Sequence, residues 1–107
     1  SKGEFKIKQI LDENNVNYKP QYYFNDLRLK NPLRFDFGII ENNNLSYLIE
    51  YDGPQHSICH PFYGGEKRFK EIQLSDQMKN DYCIKNNIKL IRVSYKQYKK
   101  LTIKDLI

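Results

Sequence analysis

The chain has 107 residues and a formal net charge of +5, from 18 Lys and Arg against 13 Asp and Glu. This length predicts one domain, residues 1–107, with a single hydrophobic core, and no apolar run is long enough to cross a bilayer. We therefore expect a soluble domain with no membrane partner, which could be a fragment of a longer protein. The positive charge favours a polyanionic partner, although ordinary solubility would explain a charge of this size equally well.

The two cysteines, Cys59 and Cys83, lack the spacing of a disulfide framework or of a zinc site. A zinc site that combines them with His60 is a weak alternative. We interpret both as reduced thiols, which predicts an intracellular, cytoplasmic protein.

The first predicted element is an amphipathic helix from Gly3 to Asn15, with Ile7 and Leu11 at helical spacing. Glu4 lies on the same face as these apolar residues. Its carboxylate either reaches into a cleft beside the core or stabilises the positive N-terminus of the helix, and the residue pattern alone favours the second explanation.

An aromatic strand is predicted next, from Tyr18 to Phe24, and Pro20 restricts it to an edge or a bulged position. Asn25 and Asp26 are expected to end this strand. Residues 27–31 are then predicted to be a basic connection.

A hairpin follows, with strands at Leu33–Ile40 and Leu45–Asp52 joined by an asparagine-rich turn, because asparagine tolerates left-handed backbone. In the first strand, alternation predicts one face formed by Leu33, Phe35, Phe37 and Ile39, and the other by Arg34, Asp36 and Gly38. In the second strand it predicts one face formed by Tyr47, Ile49 and Tyr51, and the other by Leu48, Glu50 and Asp52.

The hairpin register places Asp36 across from the region of Leu48 to Glu50. Cross-strand neighbours are only about 5 Å apart, so Asp36, Glu50 and Asp52 are expected to approach one another. Carboxylates that are buried together need a proton or a cation, and Mg²⁺ prefers oxygen ligands. These three acids therefore predict a divalent-metal site, with solvated acids at an exposed strand end as the alternative.

A loop rich in Gly, Pro and aromatic residues covers residues 53–66, and it carries His56, a candidate general acid or base. The longest predicted helix runs from Glu66 to Asn86. Asp76 and Lys79 replace the middle of its apolar stripe, which favours polar groups directed at the sheet over a plain intrahelical ion pair.

The last predicted strand is Ile88–Val93, followed by a basic, tyrosine-containing segment at residues 95–100 and a short terminal helix. Thr102 and Asp105 resemble a capping box. Interleaved Lys and Tyr suit contacts with DNA phosphates and equally suit a solvated helix end.

Four motifs follow one another along the chain: Phe35-Asp36-Phe37, Ile49-Glu50-Tyr51-Asp52-Gly53 with Gln55-His56, Asp76-x-x-Lys79 and Leu90-Ile91-Arg92-Val93. Taken together, they resemble the motifs of the PD-(D/E)xK nuclease superfamily. Within the superfamily the chain is most similar to the very-short-patch-repair endonuclease-like branch, especially the phage homing endonucleases of the EDxHD group. The resemblance implies an α/β fold, with a four-stranded mixed sheet that contains the acidic hairpin and is flanked by helices.

The resemblance also implies roles for individual residues. The metal ligands would be Asp36, Glu50, the carbonyl of Tyr51 and Asp52, and the catalytic residues would be Glu4, Asp36, Asp52, His56, Asp76 and Lys79. Asp52 stands where the superfamily usually has lysine, and Lys79 could supply the missing positive charge from the helix.

The leading hypothesis is a Mg²⁺-dependent endonuclease domain, with Mn²⁺ as a possible substitute, that hydrolyses double-stranded DNA in a bacterial or phage-infected cell. The catalytic domain of a homing endonuclease is the expected context. The alternatives are a DNA-binding module with an inactive nuclease-like site and a repair enzyme that nicks DNA. Recognition of a long target would require a second domain or a homodimer on DNA, because a core of this size has little further surface.

Overall fold

Four strands form one mixed sheet in the order β1-β2-β3-β4 in the computed structural model, which describes residues 1–107. The pairs β1–β2 and β2–β3 are antiparallel, and β3–β4 is parallel. The helices and strands are α1 (Lys2–Glu13), β1 (Tyr18–Arg28), β2 (Pro32–Glu41), β3 (Asn44–Asp52), α2 (Gly65–Lys85) and β4 (Leu90–Ser94). The predicted α/β class, with a four-stranded mixed sheet between helices, is confirmed. No helix combines the length and the apolar character that a bilayer crossing requires.

The two helices pack on opposite faces of the sheet. Ile7 and Leu11 of α1 lie in one buried cluster with Ile49, whereas Cys83 of α2 lies in a second cluster with Leu48. Successive side chains of a strand point to opposite faces, so β3 separates the two clusters. The predicted alternation of β3 is therefore confirmed.

The β2–β3 hairpin turns at Asn42 and Asn43, whose φ values are 52° and 64°. Positive φ at both central residues of a two-residue turn matches the right-handed twist of the strands. Ile40 pairs with Leu45, but Ile39 pairs with Tyr47, so the register shifts by one residue between Ile39 and Ile40. The turn and this shift together bring Asp36 next to Glu50.

The prediction that the first strand ends at Phe24 is wrong, because β1 continues to Arg28. A register shift between Tyr23 and Arg28 carries the strand past Asn25 and Asp26. Leu27 is buried, and Asp26 Oδ1 accepts a hydrogen bond of 2.7 Å from the Tyr82 hydroxyl of α2. These contacts keep the polar pair within the strand instead of in a loop.

The predicted common face of Leu33, Phe35, Phe37 and Ile39 is also wrong. Phe37 and Ile39 lie in the α1 cluster, whereas Phe35 lies in the α2 cluster with Leu33 packed against it. The β1–β2 pairs step from Pro20–Phe37 to Tyr22–Phe35, and Gln21 between them has φ 53°. The change of face between Phe37 and Phe35 therefore falls at Asp36, opposite Gln21.

The C-terminal segment folds as two short 3₁₀ helices, Tyr95–Lys100 and Ile103–Leu106, and the second is the predicted short terminal helix. Asp105 Oδ2 accepts a hydrogen bond of 2.9 Å from the Thr102 N–H, which confirms the capping interaction. Leu101 and Leu106 are buried in the α1 cluster. The segment therefore covers the open side of that helix.

Candidate active-site groove

An open groove of about 880 Å³ lies where the paired part of β2 and β3 ends, between the N-terminal turn of α1 and the first half of α2. Seven of the eight residues predicted for the site line it: Glu4, Asp36, Glu50, Tyr51, His56, Asp76 and Lys79. Asp52 is the exception and lies in an adjoining cavity of about 310 Å³, which His56 and Asp76 also line. The fold therefore brings the predicted residues together in two adjacent groups.

The floor of the groove forms where β2 and β3 separate. Regular pairing stops at Phe37 and Ile49. Beyond it, Glu50 Oε1 accepts a hydrogen bond of 2.8 Å from the Asp36 N–H, and Asp36 Oδ2 accepts one of 2.7 Å from the Tyr51 N–H. The two carboxylates thus replace backbone partners, and these reciprocal bonds fix the position of both acids.

Asp36 is held in an environment that disfavours its charge. Burial first, and then the charge of Glu50, raise the pKa of Asp36 from 3.8 to about 7, although the Tyr51 N–H opposes the shift. Glu4 raises this pKa further through its charge and a hydrogen bond. Three neighbouring acids, of which Glu50 is buried and Asp36 half-buried, create a demand for a positive charge.

Lys79 meets part of this demand from α2. Its Nζ donates a hydrogen bond of 3.1 Å to Glu50 Oε2, and the exposed fractions of the two residues are 8% and 3%. Burial raises the pKa of Glu50, while the charge and hydrogen bond of Lys79 lower it. The prediction that Lys79 is directed at the sheet is confirmed, and no comparable cation contacts Asp36.

The second group centres on His56 in the loop after β3. His56 Nδ1 lies 2.7 Å from Asp76 Oδ2 and 3.5 Å from Asp52 Oδ1. The hydrogen bond to Asp76 raises the pKa of His56, against the effect of burial. The ring therefore holds its Nδ1 proton towards Asp76, which leaves Nε2 for a ligand.

Arg92 of β4 is a site residue whose role the sequence analysis missed. Its Nη1 donates a hydrogen bond of 2.8 Å to Asp52 Oδ1 and lies 3.6 Å from Asp76 Oδ1, while Nε donates to Asn80 at 2.9 Å. Arg92 faces Glu50 in the parallel register of β3 and β4. A half-buried arginine inside an otherwise apolar strand was the available signal.

The atoms of Asp52, His56 and Asp76 all lie within 4.8 Å of one another, a separation that would also suit a metal ion. Here, however, the Arg92 guanidinium already supplies positive charge to both carboxylates. Burial raises the pKa of Asp52, and the charges of Arg92 and His56 lower it. A dication would have to displace or repel Arg92, so the Asp36 group is the better place for one.

Glu4 reaches the groove because α1 approaches β3 closely. Gly3 packs against the Tyr51 ring, and a Cβ atom at Gly3 would lie 2.1 Å from Tyr51 Cζ. Ser1 caps the helix by accepting a hydrogen bond of 3.2 Å from the Glu4 N–H. Ser1 thus provides the helix cap. Because Glu4 raises the pKa of Asp36, the Glu4 carboxylate must lie near Asp36 in the cleft.

The donor set around Asp36 fits a hard divalent cation. Asp36 Oδ1 is free of backbone hydrogen bonds, and Glu4 and Glu50 supply further carboxylate oxygens beside it. Oxygen ligands and excess negative charge are the features that Mg²⁺ and Mn²⁺ sites share. The roles of the Tyr51 carbonyl and of Asp52 as ligands stay predictions.

No family model, curated protein or solved structure matches this chain.

Proposed function

We propose that this chain is a metal-dependent endonuclease domain that hydrolyses phosphodiester bonds in double-stranded DNA. The observation that carries the proposal is the pair Asp36 and Glu50, locked together where β2 and β3 separate, with Asp76–His56 on the wall of the same groove. This arrangement agrees with the resemblance to the PD-(D/E)xK superfamily and its very-short-patch-repair endonuclease-like branch. The catalytic domain of an EDxHD homing endonuclease is the context that we favour.

Asp36, Glu50 and Glu4 are the residues that would hold Mg²⁺ or Mn²⁺. When bound, the ion would polarise a phosphodiester, lower the pKa of an attacking water and stabilise the leaving oxygen. Without it, the neighbouring charge and burial keep Asp36 partly protonated at neutral pH. The carboxylates of the chain thus supply affinity for a cation. The hydrogen bonds that link the Asp36 and Glu50 segments hold these carboxylates in place for it.

His56 is assigned as the proton donor of the site. Asp76 accepts its Nδ1 hydrogen bond and raises its pKa, so a larger fraction of rings is protonated near neutral pH. A protonated imidazole can donate from Nε2 to a leaving oxygen or hold a phosphate. Lys79 acts differently, because its ammonium is buried against Glu50 and serves to keep that carboxylate ionised.

A plasmid cleavage assay tests this function. The wild type is expected to convert supercoiled DNA to nicked or linear product in Mg²⁺ or Mn²⁺, and Asp36→Asn is expected to abolish the reaction. Asp81→Asn is the matched control, because Asp81 lies on the exposed side of α2 and bonds only to Gln77. Undiminished cutting by Asp36→Asn would exclude the site, and equal loss in both variants would show that the loss is not specific.

The products also separate the possible biological roles. A nicked product alone favours a repair-type enzyme, and linear product favours two sites that act together, as in a homodimer on DNA. The expected cellular location is the cytoplasm.

A second candidate function is a DNA-binding module whose nuclease-like site is inactive. It is favoured by the internal cations, because Lys79 and Arg92 already neutralise Glu50 and Asp52. A gel shift of duplex DNA with no cleavage in either metal would support this module. The melting temperature with and without Mg²⁺ adds a second criterion. A site that binds the metal should raise the melting temperature, whereas an inactive site that no longer binds it should leave the melting temperature unchanged.

A further inference from the structure

Two lysines of α1 converge on one tyrosine of the C-terminal segment. The Nζ atoms of Lys2 and Lys6 lie 4.9 Å and 4.6 Å from the centroid of the Tyr98 ring, and Lys6 Nζ also donates a hydrogen bond to the Tyr98 carbonyl. A lysine over an aromatic face is stabilised by the negative face of the ring. The ring thus holds two like charges close together.

No carboxylate neutralises this pair. None of the ion pairs of the chain includes Lys2 or Lys6, and none includes the neighbouring lysines of the C-terminal turn, Lys96, Lys99 and Lys100. Two other exposed lysines do have acidic partners, Lys8 with Asp12 and Lys70 with Glu66, each at 3.0 Å. Positive charges that are held together without acids attract anions.

One of these lysines, Lys2, lies at the groove itself. Lys2 lines it next to Glu4, and Arg68 of α2 lines it as well. The acidic residues therefore lie between positive side chains, with the Tyr98 segment extending the positive surface beyond α1. A DNA strand would need this arrangement, because its phosphates must pass a site that is itself negatively charged.

We propose that Lys2, Lys6 and Tyr98, here called the Tyr98 surface, bind the phosphate backbone of duplex DNA beside the groove. Its occupant is a stretch of backbone next to the scissile bond, and Lys99 and Lys100 continue the contact along the C-terminal turn. The location of the scissile bond rests on the proposed function, whereas binding by the Tyr98 surface does not require cleavage. The contact is independent of base sequence, because phosphates carry no sequence information.

The test measures affinity for a short duplex at several KCl concentrations, with Ca²⁺ replacing Mg²⁺ and again in EDTA. Lys2→Gln and Lys6→Gln should each reduce the slope of log K against log[KCl] by about one unit, and the double variant by about two. The loss should be the same for duplexes of unrelated sequence. Tyr98→Leu should also weaken binding although it removes no charge, and Tyr98→Phe should restore it.

Lys89→Gln is the matched control, because the Lys89 Nζ lies 5.2 Å from the centroid of the Tyr47 ring, on an exposed residue away from the groove. Salt slopes of Lys2→Gln and Lys6→Gln that equal that of Lys89→Gln would overturn the proposal, as would absence of DNA binding by the wild type. If Lys2→Gln and Lys6→Gln lost binding to phosphatidylserine vesicles but kept the wild-type slope of log K for DNA against log[KCl], the Tyr98 surface would be a membrane-binding surface. That result would also overturn the proposal. If the slopes fall as expected but no variant or wild type cleaves DNA, the Tyr98 surface stands and the proposed nuclease function fails.

Discussion

Lys79 and Glu50 are the two charged residues buried in this chain, and they are bonded to each other. Transfer of two charged groups from water to the protein interior is unfavourable in free energy. The pair is therefore tolerated only while both partners are present. The Lys79 ammonium also lies 5.3 Å from the centroid of the Phe35 ring, which lines its apolar side. Removal of either partner would leave the other charge without compensation.

We therefore expect Lys79→Met to lower the free energy of unfolding by about 3–5 kcal/mol, the cost of breaking a buried ion pair from one side. Urea denaturation measures this. Adding Glu50→Gln to the same chain removes the orphaned carboxylate and should recover part of the loss. A single variant with wild-type stability would show that Glu50 takes up a proton or water at little cost.

The second residue-scale prediction concerns the charge state of His56. Because the Asp76 hydrogen bond is the main cause of its raised pKa, Asp76→Asn should lower the pKa of His56. NMR titration of the ring signals reports it directly, and a His60→Gln variant assigns them, since the chain has only two histidines. An unchanged pKa would contradict the assignment of Asp76 as the partner of His56.

A third prediction concerns pH and Asp36. Its pKa in the folded chain, about 7, exceeds its ordinary value of 3.8, so between these values the folded state binds more protons than the unfolded state. Stability in EDTA should consequently fall as the pH rises from about 4 to about 7. Glu50, whose pKa is also raised, adds to this slope with the same sign, and His56, whose pKa is raised from 6.5, extends the fall in stability above that pH.

Urea midpoints across this pH range measure the effect. Asp36→Asn should flatten the dependence, and Mg²⁺ should restore stability to the wild type above the pKa of Asp36 but not to Asp36→Asn. A variant that keeps the full slope would show that Asp36 does not cause it.

At the scale of elements, the β2–β3 turn and the register shift between Ile39 and Ile40 determine where the acids meet. Asn43 has φ 64°, a conformation that glycine adopts freely and β-branched residues do not. Asn43→Val should lower the free energy of unfolding by about 1–2 kcal/mol, and Asn43→Gly should maintain or increase it. Thermal unfolding measures both, and equal melting of the two variants would show that the turn is not held in this form.

Alternation and turn chemistry predicted β3, its two faces, the asparagine turn and the region of β3 that faces Asp36, because each depends on local backbone preferences. The register shift between Ile39 and Ile40 was not predicted. The face of Phe35 was not predicted either, since it departs from the alternation of β2 opposite Gln21. Asp52 was expected beside Asp36 but instead bonds to Arg92. That contact requires β4 to lie parallel to β3, and nothing local in either strand specifies this pairing.

At the scale of the whole molecule, charge is separated by location. Carboxylates concentrate on the groove floor and wall, while Lys2 and Lys6 of α1 and the lysines of the C-terminal turn form no ion pair with an acid. A net charge of +5 is therefore an average of two unlike surfaces. If the same acidic and basic side chains were evenly distributed over the surface, the net charge would predict solubility and nothing more.

The parallel pairing of β3 and β4 requires the 21-residue α2 as a crossover, whereas β1, β2 and β3 pair with their neighbours along the chain. Glu50 and Asp52 can therefore be placed early in folding, but Lys79 and Arg92 arrive only when the crossover closes. Closing the sheet then brings opposite charges together across a long loop, so screening by salt should slow this step. Stopped-flow refolding of the wild type should accordingly slow more with added NaCl than that of a Glu50→Gln variant. Equal slowing of the two would show that the groove is not assembled in the rate-limiting step of folding.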